Sequence, residues 1–266
     1  MRLQGVILDW AGTTVDHGSR APVATLQKIF ADAGIPISVA EARESMGIAK
    51  KEHIRSILGT PRIRQEWLRV HGATPSTDDL DALYADFIPR QIECLGDHSA
   101  VIRGVPAAVE RMRSRGMKIG TTTGYTRPML SFLMERARAQ GFDPDCSLCP
   151  DDVPAGRPAP WMCYLNAIRL QAYPLWAFVK IGDTPSDIAE GRNAGMWTIG
   201  VTRTGNETGL TETEWDLALE AEKKSLLAAA AIRLKEAGAH FIAESAAECD
   251  ELFDRIDGCL RSEAKP

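Results

Sequence analysis

The sequence predicts an α/β protein: a doubly wound parallel sheet with an all-helical insert after its first strand. Three observations carry that expectation. Short apolar runs recur along the 266 residues, and three of them stop on a polar residue: Gly5-Val6-Ile7-Leu8 at Asp9, Met117 to Thr122 at Thr123, and Trp176 to Gly182 at Asp183. The segments between most of the runs have helical spacing, which is the βαβ rhythm of a parallel sheet. Between the first and second runs, residues 19–102 form an excursion far longer than one crossover helix needs.

Taken in order, the strands are expected at about Leu3–Leu8, Met117–Thr122, Trp176–Gly182 and Met196–Val201, with a weaker one at His240–Ile242. Cys146-Ser147-Leu148-Cys149 reads as a short strand before Pro150 rather than as half of a zinc site or redox pair, because no second ligand pair accompanies it. In open α/β sheets ligands bind outside the carboxyl ends of the strands, so Asp9 at such a tip faces a substrate more readily than a random surface group does. The insert reads as helices. Arg20–Ala33 carries Val23, Leu26, Ile29 and Phe30 on one face, Thr60-Pro61 opens another helix, and Pro75-Ser76-Thr77 opens a third reaching about Cys94. His98–Gly104 is the expected return, giving a core of residues 1–18 and 103–266 and an insert of residues 19–102. If one helix runs from Glu44 to Ile54, then Met46, Lys50 and His53 share a face, although Gly47 weakens its first half.

Charge and cysteine usage narrow the function classes. The balance of 31 basic against 36 acidic residues, without a long basic run, argues against nucleic acid and anionic membrane as partners. No stretch is long and apolar enough to span a bilayer, and the N-terminus enters the first strand at once, so a cytoplasmic protein is expected. The six scattered cysteines are expected to be reduced thiols.

The chemistry-bearing residues sit at the strand tips and in one loop. The Thr123 hydroxyl and the free backbone N–H groups beside Gly124 suit a phosphoryl oxygen. Arg157, in Gly156-Arg157-Pro158, supplies a fixed cation whose planar fork matches two phosphate oxygens. Asp183 suits Mg²⁺, which prefers a few hard oxygens, opposite Asp9. Asp187 reads equally well as a site residue and as the partner of Thr184 in a capping box before Pro185.

These motifs, Asp9-Trp10-Ala11-Gly12-Thr13, Thr123-Gly124, Arg157-Pro158 and Gly182-Asp183, stand in the order of the haloacid dehalogenase superfamily, which the chain resembles. With Met46-Gly47-Ile48-Ala49-Lys50-Lys51-Glu52-His53, Tyr125-Thr126-Arg127 and Asp151-Asp152-Val153-Pro154, the chain is similar over nearly its whole length to the phosphonoacetaldehyde hydrolase family. That resemblance implies a Rossmann-like core under a helical cap, and hydrolysis of phosphonoacetaldehyde to acetaldehyde and phosphate in 2-aminoethylphosphonate breakdown. It implies Asp9 as nucleophile, Lys50 as the Schiff-base lysine and His53 as a proton carrier. Met46, Thr123, Gly124, Tyr125 and Arg157 are implied as substrate contacts, and Mg²⁺ as held by Asp9, Asp183 and the carbonyl oxygen of Ala11, with Asp187 behind. It also implies a homodimer through the cap, where Ile63, Trp67 and Leu68 could contribute or could equally be cap core.

Bland readings stand beside these. His53 could be a helix-surface residue, Tyr125 a half-buried aromatic at a strand exit, and Lys50 a solvated lysine. Desolvation and a nearby cation such as Lys51 would favour the neutral amine of Lys50. Position 11 decides among the enzyme readings. A phosphomonoesterase or phosphomutase of the superfamily keeps a second aspartate there to protonate its leaving alkoxide, and this chain has Ala11. Scission of a carbon–phosphorus bond expels a carbanion, which needs an electron sink rather than a proton, and an iminium on Lys50 supplies one. A non-catalytic binding protein on the same fold is disfavoured by the joint presence of Asp9, Thr123, Arg157 and Asp183.

Overall fold

The computed structural model describes residues 1–266. Six strands form one sheet: β1 (Gly5–Leu8), β2 (Lys118–Thr122), β3 (Cys146–Leu148), β4 (Phe178–Gly182), β5 (Trp197–Val201) and β6 (Phe241–Ala243). Every pairing is parallel, in the order β3-β2-β1-β4-β5-β6. The chain therefore grows outward from β1 in both directions, and the crevice between β1 and β4 is the topological switch point where such sheets bind ligands. The first four apolar runs enter the ladder one or two residues later than their hydropathy suggests. Leu3 is buried, yet its N–H donates to the Asp257 carboxylate rather than to a neighbouring strand.

Strand alternation explains why both faces are covered. On β1, Val6 and Leu8 join the larger core with Val105, Val109 and Met112 of α6 (Val105–Ser114). Ile7 points the other way and joins Met162 and Cys163 of α8 (Trp161–Arg169). A strand buried on both sides has no polar face, which is why these runs read as continuous apolar stretches. Around the sheet also lie α7 (Arg127–Arg138), α9 (Pro185–Asn193), α10 (Glu212–Leu217), α11 (Glu220–Glu236) and α12 (Asp250–Arg261). No helix is long and apolar enough to cross a membrane.

Six helices lie between β1 and β2: α6 and, before it, α1 (Arg20–Asp32), α2 (Val39–Arg43), α3 (Lys50–Gly59), α4 (Pro61–His71) and α5 (Thr77–Leu95). Ser76 and Asp79 form a capping box that starts α5, and Pro61 occupies the first turn of α4, where a missing N–H costs nothing. The two crossings between insert and core are bound to each other, Ile102 N–H donating to the Thr14 carbonyl and Asp16 N–H to that of Ala100. The expected single helix from Glu44 to Ile54 does not form. Gly47 adopts φ +92°, in the left-handed region, so the chain turns between α2 and α3 and the helix restarts at Lys50. Ile63 and Trp67 are buried inside the insert, leaving only Leu68 exposed among the three residues considered for contact with a second copy.

Candidate active site

Three adjacent strands deliver the polar cluster. Asp9 follows β1, Asp183 follows β4 and Thr123 follows β2, so the spacing of about 4.8 Å between neighbouring strands sets their separation. Asp9 is held by its own N–H, which donates to the Ile181 carbonyl at 2.9 Å. Asp183 is fully buried; one carboxylate oxygen accepts from Asn206 N–H at 2.7 Å and the other from the Thr13 hydroxyl at 3.2 Å. Asp187 sits in the first turn of α9, where its carboxylate both caps Thr184 and lies 2.9 Å from Arg157 Nη1 and 2.8 Å from Lys180 Nζ. One side chain thus both caps the helix and pairs with the two buried cations.

A carboxylate oxygen from each of Asp9, Asp183 and Asp187 lies within 4.8 Å of the others, all three residues buried. Burial, together with Asp187 and against the pull of Arg157 and Lys180, raises the Asp9 carboxyl above the ordinary range. Burial with Asp9 and Asp187 pushes Asp183 well above it. Asp187 moves down, because Arg157 and Lys180 outweigh its burial. Clustered hard oxygens that repel one another in a buried space are a donor set suited to a divalent cation. Ala11 lines the same cleft as Asp9 and brings no carboxylate, so only its backbone could ligate there.

Arg157 spans the cluster. Its Nη2 donates to Asp9 Oδ1 at 2.7 Å, and its Nη1 donates to the Gly47 carbonyl at 3.2 Å, which joins the core cation to the turn before α3. That turn lies directly on the strand tips: a Cβ at Gly124 would meet the carbonyls of Gly47 and Ile48, and a Cβ at Gly47 would meet the Thr184 side chain. The remaining cleft has a volume of about 20 Å³ and is walled by Asp9, Met46, Lys50, Thr123, Tyr125 and Arg157, among others. That is room for little more than a water molecule. A larger cavity of about 430 Å³ lies beside His17, Arg103 and Trp215 and includes none of these residues.

Lys50, at the start of α3, is 4 % exposed. Its Nζ lies 4.0 Å from Met46 Sδ and 5.1 Å from the centre of the Tyr125 ring. Burial, opposed by Asp9 and aided by Arg157, brings its pKa down to about 8. The neighbouring cation is therefore Arg157 and not Lys51, whose ammonium points away to Asp81 at 2.6 Å. Tyr125 is buried with its hydroxyl unpartnered, and burial drives its pKa well above the phenolic value. Thr123 Oγ1 accepts from Tyr125 N–H at 3.1 Å.

His53 departs from its expected place. It is completely buried, neither ring nitrogen has a hydrogen-bond partner, and it is not a wall of the cleft. Burial and then Lys50 lower its pKa to about 3, so the ring is the neutral imidazole at neutral pH. Sequence reasoning passed over Ser19 and Thr184, which line the cleft, and the buried Thr122, Lys180 and Glu190 behind it. The signal for Lys180 was present: a lysine inside Val179-Lys180-Ile181 stands in the middle of an otherwise apolar strand.

Known proteins resemble the chain in sequence and in fold. The haloacid dehalogenase-like hydrolase family model matches residues 3–195. A phosphonoacetaldehyde hydrolase of Syntrophobacter fumaroxidans is 46 % identical over 258 residues, covering 97 % of this chain and 93 % of its own. One from Bacillus cereus (strain G9842) is 44 % identical over 257 residues, covering 97 % of each. A crystal structure of a phosphonoacetaldehyde hydrolase-like protein from Oleispira antarctica superimposes with a TM-score of 0.98 at 37 % identity, covering 100 % of this chain and 96 % of that one.

Proposed function

Because the chain belongs to the phosphonoacetaldehyde hydrolases of the haloacid dehalogenase-like family, we propose that its buried cleft hydrolyses phosphonoacetaldehyde to acetaldehyde and phosphate. The observation that carries this reading is a buried lysine with its pKa brought to about 8, in the same closed cleft as Asp9 and Arg157. Phosphatase chemistry needs no such amine, and it needs an acid where this chain has Ala11.

In this reading residues 19–102 are a cap that lifts from the core of residues 1–18 and 103–266 to admit substrate and closes to exclude water. The neutral Lys50 amine adds to the aldehyde and loses water to form an iminium. An Asp9 carboxylate oxygen attacks phosphorus in line, and the electron pair of the breaking carbon–phosphorus bond flows into the iminium to give an enamine. Protonation of the enamine carbon and hydrolysis of the resulting imine release acetaldehyde and restore Lys50. Water cleaves the aspartyl phosphate and restores Asp9. Arg157 and Thr123 hold phosphoryl oxygens, while Met46 and Tyr125 desolvate the amine. Gly124 leaves room for the closed cap. His53, a neutral imidazole buried behind Lys50 and off the cleft wall, supports the lysine rather than touching substrate.

Asp9 and Asp183, with the Ala11 carbonyl and with Asp187 behind them, would hold Mg²⁺. When bound, the ion neutralises charge on the phosphoryl oxygens. Six unbonded cysteines suit a reducing compartment, and the cytoplasm is the proposed location. A homodimer belongs to the same proposal, with Ile63 and Trp67 excluded from its contact because the cap buries them.

Borohydride tests the central step. Inactivation is expected only in the presence of phosphonoacetaldehyde or acetaldehyde, with the reduced adduct on Lys50. Lys50→Arg is expected to give neither adduct nor turnover, since a guanidinium stays protonated. Labelling at Lys51 would overturn the assignment of the Schiff base to Lys50 and move it one residue along, whereas brisk phosphomonoester hydrolysis without labelling would overturn the reading and favour a phosphomonoesterase.

A further inference from the structure

Arg157 is gripped by groups that do not line the cleft. Its Nε donates to Glu190 Oε2 at 3.0 Å, and its Nη2, the nitrogen that also reaches Asp9, donates to Thr122 Oγ1 and to the Thr122 carbonyl, each at 2.7 Å. Lys180 Nζ donates to the same Thr122 oxygen at 2.9 Å and lies 2.8 Å from Asp187 and 3.4 Å from Glu190. The Thr122 hydroxyl in turn donates to Glu190 Oε2 at 2.8 Å. Its one proton goes to a carboxylate and its lone pairs to two cations, so its capacity is filled.

The protein makes room for this assembly. Lys180 is fully buried and its stem crosses α9 at Gly191, where a Cβ would stand 2.7 Å from Lys180 Cβ. A buried ammonium carries a desolvation cost of several kcal/mol, and two carboxylates and a hydroxyl are what offset it. A guanidinium recognises an oxyanion through one edge of its plane, so a long arginine side chain must be fixed in rotation as well as in place. Without Lys180, Asp187 and Glu190 would face Arg157 as their only cation and draw it inward, away from Asp9.

We infer that Thr122, Lys180 and Glu190 are positioning residues that lock the plane of Arg157 so that its Nη2 edge faces Asp9 and the phosphonate. The inference rests on the proposed function, since it assigns Arg157 to the phosphoryl group. The three residues come from β2, β4 and α9, and none lines the cleft itself.

Two readouts in the full-length protein separate this role from general structural support. Phosphate release from phosphonoacetaldehyde needs the Arg157 edge aimed at the phosphoryl group, whereas borohydride labelling of Lys50 with acetaldehyde, which has no phosphoryl group, needs only the arginine's charge, and a Thr122 variant keeps that charge. Thr122→Val keeps the shape and removes the hydroxyl; it is expected to lower kcat/KM for phosphate release at least tenfold while labelling proceeds at the wild-type rate. Thr122→Ser restores the hydroxyl and is expected to stay within threefold of wild type. Lys180→Met is expected to lose at least threefold more than the charge-balanced Lys180→Met/Glu190→Gln pair, which gives the same test should Thr122→Val not fold. Thr122→Val within twofold of wild type, Thr122→Ser no better than Thr122→Val, or parallel loss of labelling and phosphate release would each overturn the positioning role. Failure of the functional reading looks different: the wild-type protein itself would release no phosphate from phosphonoacetaldehyde, and both proposals would fall.

Discussion

Gly124→Ala separates the contact between the turn before α3 and the strand tips from the chemistry beneath it. Gly124 has no left-handed backbone, so alanine is conformationally acceptable there, yet its Cβ would lie 2.8 Å from the Gly47 carbonyl oxygen and closer still to that of Ile48. Ordinary contact distances of about 3.5 Å require the turn before α3 to rise by roughly 1 Å. Both obstructing atoms are backbone, so no side chain can rotate to absorb the methyl. Lys50 begins the helix that follows this turn and moves with it. A misplacement of about 1 Å at a reacting group costs on the order of a hundredfold in rate, or roughly 2.7 kcal/mol of barrier. The assay is kcat/KM for phosphate release, read beside the thermal midpoint. The expected result is a loss of about a hundredfold with the fold intact. Gly59→Ala is the control: it closes α3 with nothing within 4 Å of the added methyl, and activity should be unchanged. A Gly124→Ala enzyme within threefold of wild type would refute the closed contact as a determinant of Lys50 position.

Asp9→Asn keeps size but removes the nucleophile and one carboxylate of the cluster; turnover should fall below a tenth of wild type in a folded protein, and excess chelator should likewise stop phosphate release until Mg²⁺ is restored. Activity surviving either treatment would remove the corresponding assignment. Ala11→Asp adds a fourth carboxylate beside Asp9, Asp183 and Asp187, so hydrolysis of phosphonoacetaldehyde should drop, and faster hydrolysis would contradict the account of the absent acid. The Lys50 amine titrates near 8, so roughly a tenth is neutral at pH 7, against well under a thousandth for an ordinary lysine. Imine trapping with acetaldehyde should therefore rise with pH and level off above about 8; a rise continuing past pH 10 would show that Lys50 is not desolvated.

The strand tips were legible because a buried parallel strand is an apolar run, and its end is where the first polar residue is tolerated. Asp9, Thr123 and Asp183 follow directly from that rule, and so does the α/β class. The starts of α5 and α9 were legible too, since Ser76 with Asp79 and Thr184 with Asp187 satisfy orphan N–H groups using residues only three positions apart. Such features are local, and sequence by itself determines them. The tertiary structure decided whatever depends on approach between distant segments. It placed Arg157 rather than Lys51 beside Lys50, buried His53, and settled Ile63 and Trp67 as core where the sequence left core and interface equally open. It brought the turn at Gly47 against Arg157, 110 residues away. It also gathered Thr122, Lys180 and Glu190 from two strands and a helix around one guanidinium. Desolvation and Coulomb interactions act through space, so the charge state of Lys50 belongs to the folded molecule and to no stretch of its sequence.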